Sequence, residues 1–305
     1  MKKIILTLCL VLTSLVESYE APQPGSVISS PSTQYTIIQE LGEGFFGKVF
    51  RVMDSSSKSF AMKWYKEIPQ DFLDDNPFLN AIGDAEREYN LGQIFNHPNI
   101  LKSVELFSDD EMKNHFLILD FIQGETLFDT PRKSIALKQG LSASNQLVDA
   151  LKYSDELGYI YLDMHGGNLM ITEDKQLMII DLAGFFSWKE LADLLQKKAR
   201  GLTTDQCIGQ QYGPKRAAIL KRFLEAIPSS VPGWVINHFS TFYLDRATEA
   251  IVYIQSKTDS ERDDKIERRV RIKKMAWEYS EDTQDGVETG PLSDYFDRLS
   301  WELNN

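Results

Sequence analysis

The sequence predicts an α+β protein with a strand-rich N-terminal half and a mainly helical C-terminal half. Apolar and β-branched runs bounded by glycine-rich or polar turns predict strands within residues 35–65 and at 101–107 and 115–121. Between them, residues 75–96 carry a broken apolar face typical of a helix, and Pro98 prevents its continuation. From residue 123 the spacing becomes helical, which predicts helices at 142–157, 188–199, 215–226 and 234–256.

The chain has 305 residues, enough for one large domain or two lobes with a sizeable core. Its hydrophobic content of 42% and charged content of 26% are those of a folded globular protein. The formal net charge of −12 argues against a nucleic-acid-binding protein that works through a general basic surface. We therefore expect no nucleic-acid partner.

Residues 1–18 have the pattern of a secretory signal peptide. Lys2 and Lys3 precede a short apolar run from Ile4 to Val16, which is too short for a comfortable membrane span. Cleavage would leave Cys207 as the single cysteine, so no disulfide within the chain is expected. We expect a secreted protein without a transmembrane anchor after cleavage, one that ends in a reducing compartment.

Two acidic residues and one amide, at fixed offsets, are the strongest indication of chemistry. Asp163 is followed five residues later by Asn168, and Asp181 comes thirteen residues after that. The apolar runs between Asn168 and Asp181 flank a polar turn, so a hairpin would bring these two residues side by side. Amide and carboxylate oxygens suit Mg²⁺, which usually carries nucleotide phosphates. Asp163 would then orient a nucleophilic hydroxyl.

A glycine-rich hairpin and a lysine in an apolar strand supply the other half of this hypothesis. Gly42, Gly44 and Gly47 lie between two predicted strands, where backbone N–H groups can approach phosphates. Glycine hairpins are also common without a ligand. Lys63 lies within an apolar strand, where it needs a carboxylate or phosphate unless it points to water from a sheet edge.

Taken together, these motifs resemble the protein kinase family over residues 35–185. The glycine-rich hairpin resembles the kinase glycine-rich loop, and the strand that carries Lys63 resembles the VAIK strand. Tyr161-Leu162-Asp163 stands where HRD occurs in the family, and Asp181-Leu182-Ala183 where DFG occurs. The spacing in the family points to Glu88 as the partner of Lys63.

The resemblance implies a bilobal kinase-like fold that follows a flexible linker at 19–33. The β-rich N-lobe would span residues 34–119, with one αC-type helix, and the mainly helical C-lobe residues 120–256. A charged extension would follow at 257–305, where a basic cluster within 262–274 is either a solvated helix face or a site for an anionic partner.

The resemblance also implies roles for individual residues, with ATP and Mg²⁺ as cofactors. The catalytic residues would be Asp163, Lys63, Glu88 and His165, and the metal ligands would be Asn168 and Asp181. The nucleotide-binding residues would be Leu41, Gly42, Gly44, Gly47, Val49, Ala61, Lys63, Leu119, Asp120, Phe121 and Met170.

Several positions depart from the family pattern. Leu162 replaces the arginine that binds a phosphorylated activation loop, Ala183 replaces the glycine of DFG, and Gly92 replaces a bulky residue on the αC-type helix. His165 replaces the usual lysine, so the catalytic loop also resembles that of aminoglycoside and choline kinases. Neither an APE motif nor a tryptophan-bearing segment that anchors a peptide platform is recognisable.

Three functions are compatible with these features. The first is an atypical secreted serine/threonine-protein kinase, an effector that acts on a host or partner protein, with or without an activating partner. The second is a small-molecule kinase, which His165 favours. The third is a pseudokinase scaffold that binds nucleotide or a partner without catalysis, which the unusual neighbours of Asp163 and Asp181 allow.

Overall fold

The fold is described from a computed structural model. The structure describes residues 21–44, 47–65, 83–109, 114–226, 243, 246–282 and 293–304. The predicted signal peptide at 1–18 lies outside these residues, as do residues 75–82 of the first predicted helix and residues 234–242, 244 and 245 of the last one.

The N-terminal part is built on one six-stranded antiparallel sheet with the order β1-β2-β3-β4-β6-β5. Alternating apolar residues of β2, β3 and β4 bury one face, because successive side chains of a strand point to opposite sides. The strands are β1 (Val27–Ser29), β2 (Gln34–Gly44), β3 (Gly47–Asp54), β4 (Ser59–Tyr65), β5 (Ser103–Asp109) and β6 (Asn114–Asp120).

A single helix, α1 (Gly83–Ile94), packs against β5 in this part of the described chain. Gly92 makes the close approach, since a Cβ at this position would lie 2.3 Å from Oγ of Ser103. The Ser103 hydroxyl donates to the carbonyl of Tyr89, and Gln93 donates to the carbonyl of Ser103. The glycine that replaces a bulky residue therefore brings helix and sheet into direct polar contact.

The C-terminal part starts with small sheets and continues with helices. β7 (Gly124–Thr126), β9 (Leu169–Thr172) and β10 (Leu177–Ile179) form one sheet, and β8 (Tyr159–Tyr161) pairs with β11 (Phe185–Ser187). The predicted hairpin after Asn168 is confirmed, with Leu177 paired to Ile171 and Ile179 paired to Leu169. The helices are α2 (Leu137–Glu156), α3 (Trp188–Ala199), α4 (Thr204–Ile208), α5 (Pro214–Ala226), α6 (246–256), α7 (Arg262–Asp282) and α8 (Ser293–Asn304).

The main hydrophobic core lies among these helices and extends to α1 and the small sheets. The arrangement is the predicted α+β fold of two lobes, a sheet with one helix and a mainly helical second lobe. Among the described residues, no helix is long and apolar enough to span a membrane.

Two predicted boundaries differ from the structure. Residues 27–29 were placed in the flexible linker, but they form β1 and pair with residues 34–36 of β2. Residues 257–305 were predicted as a charged extension that follows the C-lobe, and α8 within them contributes to the C-lobe core. Tyr295, Phe296 and Leu299 are fully buried, and α8 packs along α2. The high charge of this region concealed one apolar helix face.

Candidate active site

Lys63 and Glu88 form a buried ion pair between the sheet and α1. Lys63 is on β4, which lies inside the sheet between β3 and β6, so this lysine is not at a sheet edge. Its Nζ lies 2.6 Å from Oε2 of Glu88, whose side chain is 0% exposed. A buried carboxylate requires such a partner, since an unpaired buried charge is strongly destabilising. The same Nζ lies 3.4 Å from Oδ1 of Asp181.

A cavity of about 790 Å³ opens beside Lys63, between the large sheet and the β7-β9-β10 sheet. Apolar residues of both sheets contribute to its lining, among them Val49, Leu119 and Met170, as is common in sites for aromatic ligands. Among the predicted nucleotide-binding residues, those that line it are Leu41, Gly42, Val49, Ala61, Lys63, Leu119, Asp120, Phe121 and Met170. Further residues that were not predicted also line the cavity, including Leu101, Ile122 and Ile180.

Gly44 and Gly47 do not line the cavity and stand at the end of the β2–β3 hairpin. Gly47 has a φ of +149°, and a Cβ there would lie 1.9 Å from the carbonyl oxygen of Trp64. Glycine is therefore required at this position, because a side chain would collide with the backbone of β4. Gly42 has open space around the position of a Cβ.

The loop after β8 holds Asp163, His165 and Asn168 together. The Asn168 amide nitrogen donates to both the carbonyl and Oδ2 of Asp163, at 3.0 Å each. Nδ1 of His165 accepts from the N–H of Gly167, so the neutral ring carries its proton on Nε2, 3.6 Å from Oδ2 of Asp163. The His165 ring also stacks on Phe128. These contacts fix the direction of the Asp163 carboxylate.

Asp181 follows β10 and caps a short turn of 3₁₀-helix at Leu182–Gly184, where its Oδ1 accepts from the N–H of Ala183. The tight glycine of this segment is Gly184 rather than residue 183. A Cβ on Gly184 would lie 2.5 Å from the ring of Tyr161 and 2.9 Å from Cβ of Asp163. Alanine at position 183 therefore does not disturb the close approach of Gly184 to Tyr161 and Asp163.

Residues 35–212 match the protein kinase domain family. This match covers more than half of the chain, and it includes the glycine-rich hairpin, Lys63, Glu88, the catalytic loop and Asp181. The chain belongs to the protein kinase family. The predicted resemblance to this superfamily is thus confirmed.

Several serine/threonine-protein kinases are similar to this protein kinase in sequence. STK11 of Rattus norvegicus is 27% identical over 158 residues, which are 49% of this chain and 34% of the relative. GRIK1 of Arabidopsis thaliana is 25% identical over 186 residues, which are 59% of this chain and 47% of the relative. The chain spans about a third to a half of the length of these relatives.

Helix α5 places two cations on the acids of this kinase site, and sequence analysis predicted neither. Nζ of Lys215 lies 2.5 Å from Oδ2 of Asp181 and 3.5 Å from Oε1 of Glu88. The Arg222 guanidinium, seven residues on, lies 2.9 Å from Oδ1 of Asp163. Lys215 comes 34 residues after Asp181 in a segment without a recognisable motif, so no local pattern signalled either contact.

Buried contacts hold α5 in this position. The N–H groups of Lys215 and Arg216 donate to the Asp84 carboxylate at the start of α1. Arg216 is 2% exposed, and its guanidinium donates to the carbonyls of Ala183 and Phe185 directly after Asp181. Helix α5 is therefore joined both to the helix that carries Glu88 and to the segment that carries Asp181.

The charges around both acids keep them ionised. Burial opposes ionisation of Asp181, but the charges of Lys215 and Lys63 outweigh it and lower the pKa of this carboxyl far below its usual range. For Asp163, burial is likewise outweighed by His165 and Arg222, so its pKa is also lowered. Asp163 is a carboxylate at neutral pH, which suits a group that accepts a hydrogen bond from a hydroxyl.

The residues at Asp181 fit a hard divalent cation. Because the Asn168 amide nitrogen is engaged with Asp163, its Oδ1 is the atom left to act as a ligand. Together with the Asp181 carboxylate this gives an all-oxygen donor set, which Mg²⁺ prefers. The ammonium of Lys215, at 2.5 Å from Oδ2 of Asp181, opposes a cation there more closely than that of Lys63, at 3.4 Å from Oδ1.

Proposed function

We propose that this protein is an ATP- and Mg²⁺-dependent kinase that transfers a phosphoryl group to a serine or threonine of a partner protein. The observation that supports this most is the contact of Lys63, which lines the cavity, with both Glu88 and Asp181. The similarity to serine/threonine-protein kinases favours a protein acceptor.

In this proposal each residue has a positioning or charge-neutralising task, as phosphoryl transfer requires. ATP supplies the phosphoryl group, and Mg²⁺ neutralises charge on the phosphates. Lys63, held by Glu88, binds phosphate oxygens, while Asn168 and Asp181 provide the metal ligands. Asp163, fixed by Asn168, directs the acceptor hydroxyl.

The test is incubation with labelled ATP and Mg²⁺ in the presence of mixed proteins or mixed small-molecule alcohols. Label on protein, lost in Asp181→Ala, supports the proposal. Label only on small molecules would support the alternative acceptor class that His165 suggests. Absence of both nucleotide binding and transfer would contradict kinase function of either kind.

One observation favours a second candidate, a scaffold that binds without catalysis. Lys215 contacts an oxygen of Asp181 that would otherwise bind a metal ion, and Arg222 contacts an oxygen of Asp163. A scaffold would bind nucleotide without transferring label to any acceptor, and Asp163→Asn would change none of its measurable properties except stability.

We also propose that residues 1–18 direct secretion and that the protein acts on a host protein after delivery into another cell. The positive start and short apolar run of this segment support secretion. A reporter fused to residues 1–18 should be exported and processed near residue 18. Retention of that reporter inside the producing cell would contradict this part of the proposal.

A further inference from the structure

The two cations of α5 are placed as a pair. Lys215 and Arg222 are seven residues apart on one helix, a spacing of two turns that puts them on the same face. One reaches Asp181 and the other Asp163, the two acids of the proposed reaction. We call Lys215 and Arg222 the α5 cation pair.

Lys215 completes a square of alternating charges with Lys63, Glu88 and Asp181. Each carboxylate contacts both ammonium groups, at distances from 2.5 to 3.5 Å, so the square is formally neutral. Without Lys215 it would hold one excess negative charge. A divalent cation on Asp181 would lie about 2 Å from the carboxylate oxygen, within strong repulsion of Lys215 where it now stands.

Arg222 lies where the hydroxyl of an acceptor substrate would approach Asp163. Its side chain is 65% exposed while that of Asp163 is 10% exposed, so Arg222 lies on the solvent side of this carboxylate. Oδ2 of Asp163 is taken by Asn168 and Oδ1 by Arg222. An acceptor hydroxyl that approaches Oδ1 therefore meets Arg222 beside it, and an acceptor with an acidic group next to the hydroxyl offers the guanidinium a second partner.

We propose that the α5 cation pair stands in for metal and acceptor in the resting protein. Lys215 is a positioning residue that weakens metal binding at Asp181, and Arg222 is a specificity-determining residue that selects acidic acceptors. This inference rests on the proposed kinase function, but its first test measures metal binding alone.

The test for Lys215 is the dissociation constant of Mn²⁺, measured by electron paramagnetic resonance with a non-hydrolysable ATP analogue. Lys215→Met removes the charge and keeps the length, and it should bind Mn²⁺ at least about tenfold more tightly. Lys215→Arg should restore weak binding. The matched control is Lys221→Met on the same helix, whose lysine lies 3.8 Å from Asp205 and away from the site. This variant should bind as the wild type does.

Equal or weaker metal binding by Lys215→Met would overturn the inference and leave the proposed function standing. If neither the wild type nor any variant binds Mn²⁺, both the inference and the proposed kinase function are overturned. Circular dichroism and thermal unfolding establish that each variant is folded. If Lys215→Met does not fold, Lys215→Gln provides the same comparison, with a polar group that can still donate to Asp181.

The test for Arg222 compares two peptides that differ only in glutamate or glutamine next to the acceptor serine. The wild type should have the lower KM for the acidic peptide, with a smaller difference in kcat. Arg222→Gln should lose this preference, whereas Lys221→Gln should keep it. An unchanged preference in Arg222→Gln, or a wild type that favours the neutral peptide, would overturn this role of Arg222.

Discussion

Lys63 and Glu88 are 25 residues apart in sequence, and their side chains meet at 2.6 Å in the interior. This contact joins β4 to α1 and holds the ammonium of Lys63, which lines the cavity. Because Glu88 also faces Lys215, it keeps a cationic neighbour even when Lys63 is absent. Loss of Lys63 should therefore affect function more than folding.

We predict that Lys63→Ala lowers phosphoryl transfer at least about a hundredfold, since it removes a preorganised charge from the site. Its thermal unfolding should stay close to that of the wild type. Glu88→Ala, in contrast, leaves two lysines against one buried carboxylate and should also lower the melting temperature. Initial rates with labelled ATP, together with melting curves, test both. A Lys63→Ala variant with wild-type transfer would remove Lys63 from its proposed role.

Asp163→Asn should separate binding from transfer. The side chain does not line the cavity, so affinity for nucleotide should be retained. Transfer should fall by about 10²–10⁴, the range for loss of a positioned acid–base group. Isothermal titration with nucleotide and rate measurements provide the two readouts. Equal loss of binding and transfer would indicate a structural role for Asp163.

Asp84 makes stability depend on pH in a direction opposite to that of most carboxylates. Burial raises its pKa from 3.8 to about 6, against the opposing hydrogen bonds from Lys215 and Arg216. The folded state therefore holds this proton more tightly than the unfolded state does. The contribution of Asp84 to the free energy of unfolding consequently declines as the pH rises from about 4 to about 6.

Residue 84 cannot titrate in Asp84→Asn. As the pH rises from about 4 to about 6, the free energy of unfolding of this variant should therefore increase by about 3 kcal/mol relative to that of the wild type. Denaturant unfolding of both proteins at pH 4, 5, 6 and 7 measures the difference. All other carboxylates are common to both proteins and cancel in the comparison to a first approximation. A difference that does not change with pH would show that Asp84 has an ordinary pKa.

Leu299 tests whether α8 belongs to the core. Its side chain is fully buried, so Leu299→Ala should lower the free energy of unfolding by about 2–5 kcal/mol. The control is Asp297→Ala on the same helix. Asp297 forms an exposed ion pair with Lys152, which should contribute less than about 1 kcal/mol. Similar small effects for both variants would mean that α8 does not stabilise the fold.

The sequence was sufficient to predict those parts of the site that are local in the chain. The hairpin between Asn168 and Asp181 follows from period-two apolar residues around a polar turn, and the structure has this hairpin. The partnership of Lys63 with Glu88 required a resemblance, because nothing in either segment specifies the other. Once the fold brings them together, the burial of Glu88 accounts for the pairing.

The contacts of α5 could not be predicted in this way. Lys215 and Arg222 have the spacing of an ordinary amphipathic helix, and their partners are set by how α5 docks on α1 and on the segment after Asp181. The apolar face of α8 was present in the sequence as Tyr295, Phe296, Leu299 and Leu303. The high charge density of the surrounding C-terminal region masks this periodicity.

The burial of Arg216 determines how the α5 cation pair can move away from Asp181 and Asp163. If the helix were withdrawn, the carbonyls of Ala183 and Phe185 would lose their donor, and a guanidinium would lose its acceptors. Lys215 and Arg222 are less constrained, since both side chains reach solvent. Release is then a change of side-chain rotamers around a stationary backbone. For the exposed Arg222 such exchange takes picoseconds to nanoseconds, whereas Lys215 is 22% exposed and first has to break its ion pairs with Asp181 and Glu88. A metal-loaded form should differ from this one in χ angles at residues 215 and 222, with every helix axis where it is now.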